Sequence, residues 1–334
     1  MLTNFLLLAI GITLLLGGGE FMVRGASALA RALGVSPLII GLTVVAFGTS
    51  APELAVNLIA AWNGNGDISF GNIIGSNIAN IGLIIGTAAL IKPLAIHSTV
   101  ISRELPMMLL ATAAATVMGL DRLLRNAPHS AYDRADGLLL LLLFCIFIHY
   151  TVSEVLQQRR LRDPVLKDAA ELGGTPDGDR IGLNLLFTLG GMAALLGGGR
   201  LTVDGAVALA QAFGVPKVLI GLTVVAIGTS LPELVTSVVA THRGHTDIAV
   251  GNVVGSNIFN LLFVMGLSAT TSTVPVPPTG RTDLAVMTGL SLLLLPFTLS
   301  NGQRIVRWQG AALITLYLAY TAWITFSLGL SSPP

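Results

Sequence analysis

The chain has 334 residues, of which 53% are hydrophobic and only 10% are charged. A water-soluble domain of this length needs about 25% charged residues to cover its surface, so the composition excludes a soluble fold. The formal net charge of +1 indicates no particular partner. Apolar runs of about 20 residues recur along the chain, and each is long enough to cross a bilayer. We therefore predict an all-α, polytopic membrane protein.

Ten apolar segments are predicted to be transmembrane helices. They are residues 4–23, 37–61, 68–90, 104–120 and 136–153, followed by 181–199, 216–240, 248–270, 283–300 and 309–329. The long hydrophilic stretch from Glu154 to Arg180 separates five spans from the other five and is expected to be a cytoplasmic linker. The predicted organisation is a first five-helix repeat at 1–153, a linker at 154–180 and a second five-helix repeat at 181–334.

The distribution of Lys and Arg predicts the orientation of these spans. If the N-terminus lies outside, twelve of the 18 Lys and Arg residues fall in inner loops and six in outer loops. This agrees with the excess of positive charge that membrane proteins carry on the cytoplasmic side. Because each half has an odd number of spans, the second half is expected to insert upside down. Such an inverted repeat is typical of secondary transporters.

The two halves share motifs at a constant offset of 180 residues. Residues 40–54 read IGLTVVAFGTSAPEL and residues 220–234 read IGLTVVAIGTSLPEL, so thirteen of fifteen positions are identical. Further on, GNIIGSNIAN at 71–80 corresponds to GNVVGSNIFN at 251–260. Each copy of the first motif places one glutamate, Glu53 or Glu233, in the middle of an apolar span.

An ionised carboxylate near the centre of a bilayer costs roughly 2.5–3.5 kcal/mol. Glu53 and Glu233 therefore indicate that a cation compensates their charge, and neither motif contains a Lys or Arg. Each glutamate follows a proline, Pro52 or Pro232, which removes a helical hydrogen bond and opens the preceding turn. We expect both helices to break there and to line a cavity, because irregular backbone at membrane depth must be buried or hydrated.

Further oxygen-bearing groups recur at helical spacing around these glutamates. Thr49 precedes Glu53 by four residues, and Thr229 precedes Glu233 by four, so hydroxyl and carboxylate share a face. The next span of each half carries a polar stripe with the same spacing: Asn72, Ser76 and Asn80, then Asn252, Ser256 and Asn260. Whether Asn72, Asn77, Asn252 and Asn257 bind an ion or only connect helices is left open.

The chemistry of these groups indicates the class of ion. Carboxylates, hydroxyls, amide oxygens and main-chain carbonyls are hard ligands that suit Ca²⁺ or Na⁺. Zinc or copper would need Cys or His ligands, and here the His residues fall at loops or span ends. The expected carbonyl ligands lie on the turns before each proline, around Ala46 and Ala226.

In these motifs the chain resembles the sodium/calcium exchangers of the cation/calcium exchanger superfamily, specifically the compact prokaryotic members, over its whole length. The resemblance implies an antiporter that exchanges Ca²⁺ for Na⁺ by alternating access in the inner membrane of a prokaryote. Its partners would be the two ions and the lipid bilayer, without a cofactor, nucleic acid or obligate protein partner.

The resemblance also implies a set of ligands. Glu53 and Glu233 would bind Ca²⁺ and share in binding Na⁺, and Asn80 would lie at the central site. The remaining implied ligands are the hydroxyls of Thr49, Ser50, Ser76, Thr229, Ser230 and Ser256 and the carbonyls of Ala46 and Ala226. Some family members carry aspartate at the position of Asn260, and in potassium-dependent relatives this acid is linked to the potassium requirement. The asparagine therefore argues against such a requirement here.

Other functions are weighed against this one. A Ca²⁺/H⁺ antiporter is the main alternative, because a glutamate pair can carry protons as well as Na⁺. A cation channel is disfavoured because channel filters are assembled around an axis, whereas this chain contains its own two-fold pair. An enzyme is disfavoured because no constellation of nucleophile, base or metal is found.

One pair of charges breaks the repeat. Glu20 and Arg24 in the first half correspond to Arg200 and Asp204 in the second, with the signs reversed. Each pair is interpreted either as a gating ion pair or as a local pair on one helix. The spacing of four residues favours the local pair.

Overall fold

The computed structural model describes residues 1–64, 66–171, 181–213 and 228–331. Within these residues, seven helices begin before the linker: α1 (Leu2–Leu33), α2 (Pro37–Thr49), α3 (Ala51–Trp62), α4 (66–91), α5 (Val100–Met118), α6 (Asp121–Leu124) and α7 (Arg134–Glu171). Five helices of the described residues follow the linker: α8 (Ile181–Ala212), α9 (Leu231–His242), α10 (Thr246–Thr271), α11 (Gly280–Leu299) and α12 (Arg307–Ser331).

The helices confirm a multi-pass membrane protein. Eight of the helices in the described residues are long and apolar enough to cross a bilayer, and α2 with α3 would make a ninth span. The predicted span at 216–240 lies partly in residues 214–227, outside the described residues, and its second part is α9. The helix α7 continues to Glu171, so the first part of the predicted linker is helical.

Glycines on α1 and α8 let these two long helices pack closely along their length. A Cβ on Gly11 would lie 2.9 Å from the carbonyl oxygen of Gly198, and a Cβ on Gly18 would lie 2.8 Å from that of Gly191. Such contacts leave no room for a side chain. Small residues are typical of helix interfaces in membranes, where dispersion forces and close backbone approach replace the hydrophobic effect.

The helices α4 and α10 lie in the centre of the molecule. In the most apolar part of α10, 94% of the residues are buried, whereas the corresponding value for α7 and for α12 is 17%. Two short sheets connect the halves at the ends of the helices. Strand β1 (Leu94–Ala95) pairs with β4 (Arg304–Ile305), and β2 (Ala131–Tyr132) pairs with β3 (Val274–Pro275), both antiparallel.

The charged pairs on α1 and α8 behave differently from each other. Arg200 and Asp204 form the local ion pair that their spacing predicts, at 3.9 Å. Glu20 instead binds Arg243 at the end of α9, with 2.6 Å between Glu20 Oε1 and Arg243 Nη2. The predicted local pair is therefore wrong for the first half, because α1 packs against α9 and brings the guanidinium within reach.

Candidate ion-binding site

The site is built around the break between α2 and α3. The two helices meet at an angle of 44°, and Ser50 lies between them with φ −86° and ψ 8°. Pro52, in the first turn of α3, has no N–H to continue the helical ladder. The predicted break is thus confirmed in the first half. In the second half, Ser230 precedes α9 with φ −88° and ψ 6°, almost the same backbone conformation.

Glu53 and Glu233 occupy the first turns of α3 and α9, and both are buried. Ser50 Oγ donates a hydrogen bond of 2.9 Å to Glu233 Oε1. Within the described residues, Glu233 Oε2 and both carboxylate oxygens of Glu53 have no hydrogen-bond partner. The two carboxylates are close enough for their charges to repel each other. Buried charges without partners are strongly unfavourable, so this pair is stable only when a cation or a proton neutralises it.

The helix dipoles of α3 and α9 stabilise the negative charges of the two carboxylates only in part. The first turn of a helix presents free N–H groups and the positive end of its dipole, which stabilises a nearby negative charge by about 0.3–1 kcal/mol at exposed sites. Burial of an unpaired carboxylate costs several times more than this. The helix ends therefore offset only a small part of the cost of burying the two charges.

Hydrogen bonds across the site connect the two halves of the chain. Thr49 Oγ1 donates to Asn252 Oδ1 at 3.1 Å, and the hydroxyls of Ser230 and Ser76 are 3.4 Å apart. The amide of Asn80 donates to Asn257 Oδ1 at 2.9 Å. The structure thus brings together side chains from both copies of both motifs.

Asn80 and Asn260 lie where the central helices widen. Asn80 begins a π-helical segment, Asn80–Ile85, and Asn260 lies in the equivalent segment, Phe259–Val264. Both side chains are buried. Asn80 Oδ1 and both polar atoms of the Asn260 side chain lack hydrogen-bond partners in the described part of the chain. Short π segments inside α-helices occur frequently at functional sites, and here they coincide with the two asparagines.

The other predicted ligands are placed as follows. Ser256 is buried and its hydroxyl has no hydrogen-bond partner among the described residues, and Thr229 is partly buried. The carbonyl of Ala46 accepts hydrogen bonds from the Ser50 N–H at 3.0 Å and from Thr49 Oγ1 at 3.4 Å. Ala226 lies outside the described residues.

Besides Asn257, which accepts a hydrogen bond from Asn80, two more of the asparagines whose role the sequence leaves open have partners within the site. Asn252 Nδ2 donates to the carbonyl of Glu233 at 3.3 Å and to Ser237 Oγ at 3.0 Å. Asn72 Oδ1 accepts from Ser76 Oγ at 3.4 Å. Both amides therefore hold neighbouring groups of the site in position.

Asn57 is a buried polar residue that is not among the site residues predicted from the sequence. It lies four residues after Glu53, and its Nδ2 donates to the Glu53 carbonyl at 2.6 Å. Its Oδ1 has no hydrogen-bond partner in the described residues. The spacing from Thr49 through Glu53 to Asn57 is a signal that could have found it. Ser237, at the equivalent place in the second half, accepts the hydrogen bond from Asn252.

A multi-pass membrane protein with a buried group of carboxylate, hydroxyl and amide oxygens is equipped to bind hard cations. The profile of the family described as sodium/calcium exchanger protein matches residues 3–152 and again residues 183–326. The chain therefore belongs to the sodium/calcium exchanger family, which confirms the resemblance seen in its motifs, and it is a cation/Ca²⁺ exchanger.

Individual relatives match over nearly their whole length. The chain is 39% identical to the protein CaxA of Alkalimonas amylolytica, covering 96% of this chain and 98% of CaxA. It is 34% identical to the sodium/calcium exchanger MaX1 of Methanosarcina acetivorans, covering 95% and 97%. Among solved structures, the sodium-calcium exchanger NCX_Mj soaked with 10 mM Na⁺ and zero Ca²⁺ matches with a TM-score of 0.81 and 31% identity, covering 96% of this chain and 98% of that chain.

Proposed function

We propose that this protein is an antiporter that exchanges Ca²⁺ for Na⁺ by alternating access, and that Glu53 and Glu233 form one buried site that both ions use. The observation that carries the proposal is the pair of buried carboxylates. Three of their four oxygens lack a hydrogen-bond partner among the described residues. A cation bound between them would balance their charge and fill their coordination.

The composition of the site explains how two different ions can compete for it. Two carboxylates match the charge of one Ca²⁺, and neutral oxygens complete a flexible coordination shell of the kind that Ca²⁺ accepts. Na⁺ takes the same hard oxygen ligands. Because the carboxylates are shared, Ca²⁺ and Na⁺ cannot occupy them together, and this competition would couple the two fluxes.

The remaining ligands are assigned by their position around the carboxylates. We assign the flanking Na⁺ sites to hydroxyls and carbonyls and the centre of the site to the two amides. The hydroxyls belong to Thr49, Ser50, Ser76, Thr229, Ser230 and Ser256, the carbonyls to Ala46 and Ala226, and the amides to Asn80 and Asn260.

Reciprocal contacts support an inverted repeat of two five-span halves, 1–153 and 181–334, joined by the linker at 154–180. In the sheets, β1 of the first half pairs with β4 of the second, while β3 of the second pairs with β2 of the first. Gly18 packs on Gly191, and their equivalents at the 180-residue offset, Gly198 and Gly11, pack on each other. Reciprocal pairing of this kind is expected from two-fold related units.

The topology that we propose has ten spans with the N-terminus outside, in the cytoplasmic membrane of a prokaryote. An inverted repeat with broken helices at its centre is the architecture of many secondary transporters. In such proteins, one repeat moves relative to the other around a fixed site. The cross-repeat hydrogen bonds from Ser50 to Glu233 and from Thr49 to Asn252 would then have to change during transport.

The experiment is ion flux in proteoliposomes. Purified protein is reconstituted, and uptake of ⁴⁵Ca²⁺ is driven first by an outward Na⁺ gradient and then by an outward H⁺ gradient at equal Na⁺. The proposal predicts uptake with the Na⁺ gradient and none with the H⁺ gradient alone. Uptake with the H⁺ gradient alone would identify a Ca²⁺/H⁺ antiporter that uses the same glutamates, and uptake with neither would refute an exchanger of Ca²⁺.

A further inference from the structure

We infer that the ion pair between Glu20 and Arg243 stabilises one conformation of the transport cycle. In this conformation α1 packs on α9 and closes the Arg243 end of the site. Arg243 Nη2 lies 2.6 Å from Glu20 Oε1, and Arg243 Nε donates to Glu20 Oε2 at 2.9 Å. The contact is bidentate, which is the strongest geometry for a guanidinium and a carboxylate. It joins α1 of the first half to the end of α9, which carries Glu233.

The ion pair is one of several contacts that hold α1 against α9. A Cβ on Gly19 would lie 3.0 Å from Val235 Cγ1 and 3.4 Å from Val239 Cγ2. Ser27 Oγ lies 3.5 Å from His245 Nε2, beyond the end of α9. Together these contacts cover α9 from its second turn to its end.

Among the residues that the structure describes, none covers the equivalent surface of the first half in this way. Val56 and Ile59 on α3 correspond to Thr236 and Val239 on α9, and they are 38% and 62% exposed, whereas Thr236 is fully buried. Gly199 on α8, the equivalent of Gly19, lies nearest to Pro232 and Leu15. The two ends of the site therefore differ, as alternating access requires.

The sequence cannot form the same ion pair at the other end. The residues equivalent to Glu20 and Arg243 are Arg200 and Asn63, which carry no opposite charges. Arg200 forms an ion pair with Asp204 on its own helix. The inverse conformation, with α8 packed on α3, therefore lacks this stabilisation, and the ion pair biases the equilibrium towards the conformation with α1 on α9.

The inference rests on the alternating access of the proposed function. The exposure of the two side chains limits how far their ion pair can shift the conformational equilibrium. The side chains of Arg243 and Glu20 are 57% and 38% exposed, so water and salt weaken their attraction. A pair of this kind is expected to shift a conformational equilibrium by up to about fivefold. It biases the two states without preventing either.

The test measures access to the α1–α9 interface without measuring transport. Cys145, the single cysteine of the chain, is first replaced by serine. A new cysteine is then introduced by Val239→Cys, at the position that packs against Gly19. Its rate of modification by a hydrophilic maleimide, measured in nanodiscs, reports access to the interface. We expect Glu20→Gln and Arg243→Gln to raise this rate by up to about fivefold. The charge swap Glu20→Arg with Arg243→Glu should restore the slow rate.

Arg200→Gln is the matched control on α8 and should leave the labelling rate unchanged. If Val239→Cys fails to fold, Val235→Cys serves as a second reporter of the same interface. Unchanged labelling in Glu20→Gln, or a charge swap as fast as the single variants, would overturn the inference. These outcomes are separable from the proposed function. A wild type that fails to exchange Ca²⁺ for Na⁺ refutes the exchange reaction, whereas normal exchange with unchanged labelling refutes only the role of the ion pair.

Discussion

Replacing Glu53 by glutamine removes one negative charge from the site and preserves the shape of the side chain. Neither carboxylate oxygen of Glu53 has a hydrogen-bond partner within the described residues, and the side chain is fully buried. The substitution therefore breaks no hydrogen bond there and deletes an unpaired buried charge. Without bound ions, Glu53→Gln should be at least as stable as the wild type.

The effect on Ca²⁺ should be large. A unit charge about 4 Å from another contributes about 4 kcal/mol at an effective dielectric constant of 20, and a divalent ion doubles this to about 8 kcal/mol. If the amide dipole and altered solvation offset half of it, about 4 kcal/mol is still lost, which weakens Ca²⁺ binding about 1,000-fold. Na⁺-driven uptake of ⁴⁵Ca²⁺ should then be undetectable at Ca²⁺ concentrations that support the wild type.

For each variant, the assay measures the initial uptake rate in proteoliposomes and the unfolding temperature of the same preparation in detergent. Asp204→Asn is the control, because this carboxylate is exposed on α8 and its loss should change neither quantity by much. Near-normal uptake in Glu53→Gln would refute the assigned site. A lower unfolding temperature without ions would refute the argument that this carboxylate is unpaired.

Three further predictions follow from other contacts. Ser256→Ala removes a hydroxyl without a hydrogen-bond partner in the described residues, so the Na⁺ dependence of exchange should shift more than the affinity for Ca²⁺; equal weakening of both would indicate a packing role. Asn260→Asp adds a third acid to the site. Because adjacent like charges favour proton uptake, the Ca²⁺ flux of this variant should be more pH-sensitive than that of the wild type. The wild type, with an amide at this position, should need no added K⁺. Tyr132→Phe deletes a buried hydrogen bond of 2.7 Å to the Ala115 carbonyl, so the free energy of unfolding should fall by about 1 kcal/mol while exchange persists. Burial raises the pKa of Tyr132, so the hydroxyl remains a donor across the pH range of the assay.

Much of the fold was predictable because the bilayer imposes strong rules on sequence. Apolar runs must form helices when no water is available to the backbone, and a proline followed by a glutamate inside such a run is tolerated only at a specialised place. The bend between α2 and α3, and the burial of Glu53 and Glu233, agree with this reasoning. The count of ten spans stays a prediction, because residues 214–227 are not among those described.

The contacts that the sequence did not predict depend on how distant segments pack. The ion pair of Glu20 with Arg243 spans 223 positions, and nothing in the local spacing distinguishes it from a pair with Arg24. The π segments at Asn80 and Asn260 are likewise set by packing, because periodicity cannot distinguish one wide turn from a regular one. Asn57 differs from these contacts, because its spacing of four residues from Glu53 is visible in the sequence and could have predicted its place in the site.

The most direct test of the central claim is the position of a bound divalent ion. Sr²⁺ is a heavier analogue of Ca²⁺, and anomalous diffraction from crystals grown with Sr²⁺ and without Na⁺ would locate it. We predict one strong peak between Glu53 and Glu233, with oxygens of both carboxylates at about 2.3–2.6 Å, the Ca²⁺–oxygen range, or slightly more. The peak should fade as Na⁺ is added. A peak that contacts neither glutamate, or one that Na⁺ does not displace, would contradict a shared carboxylate site.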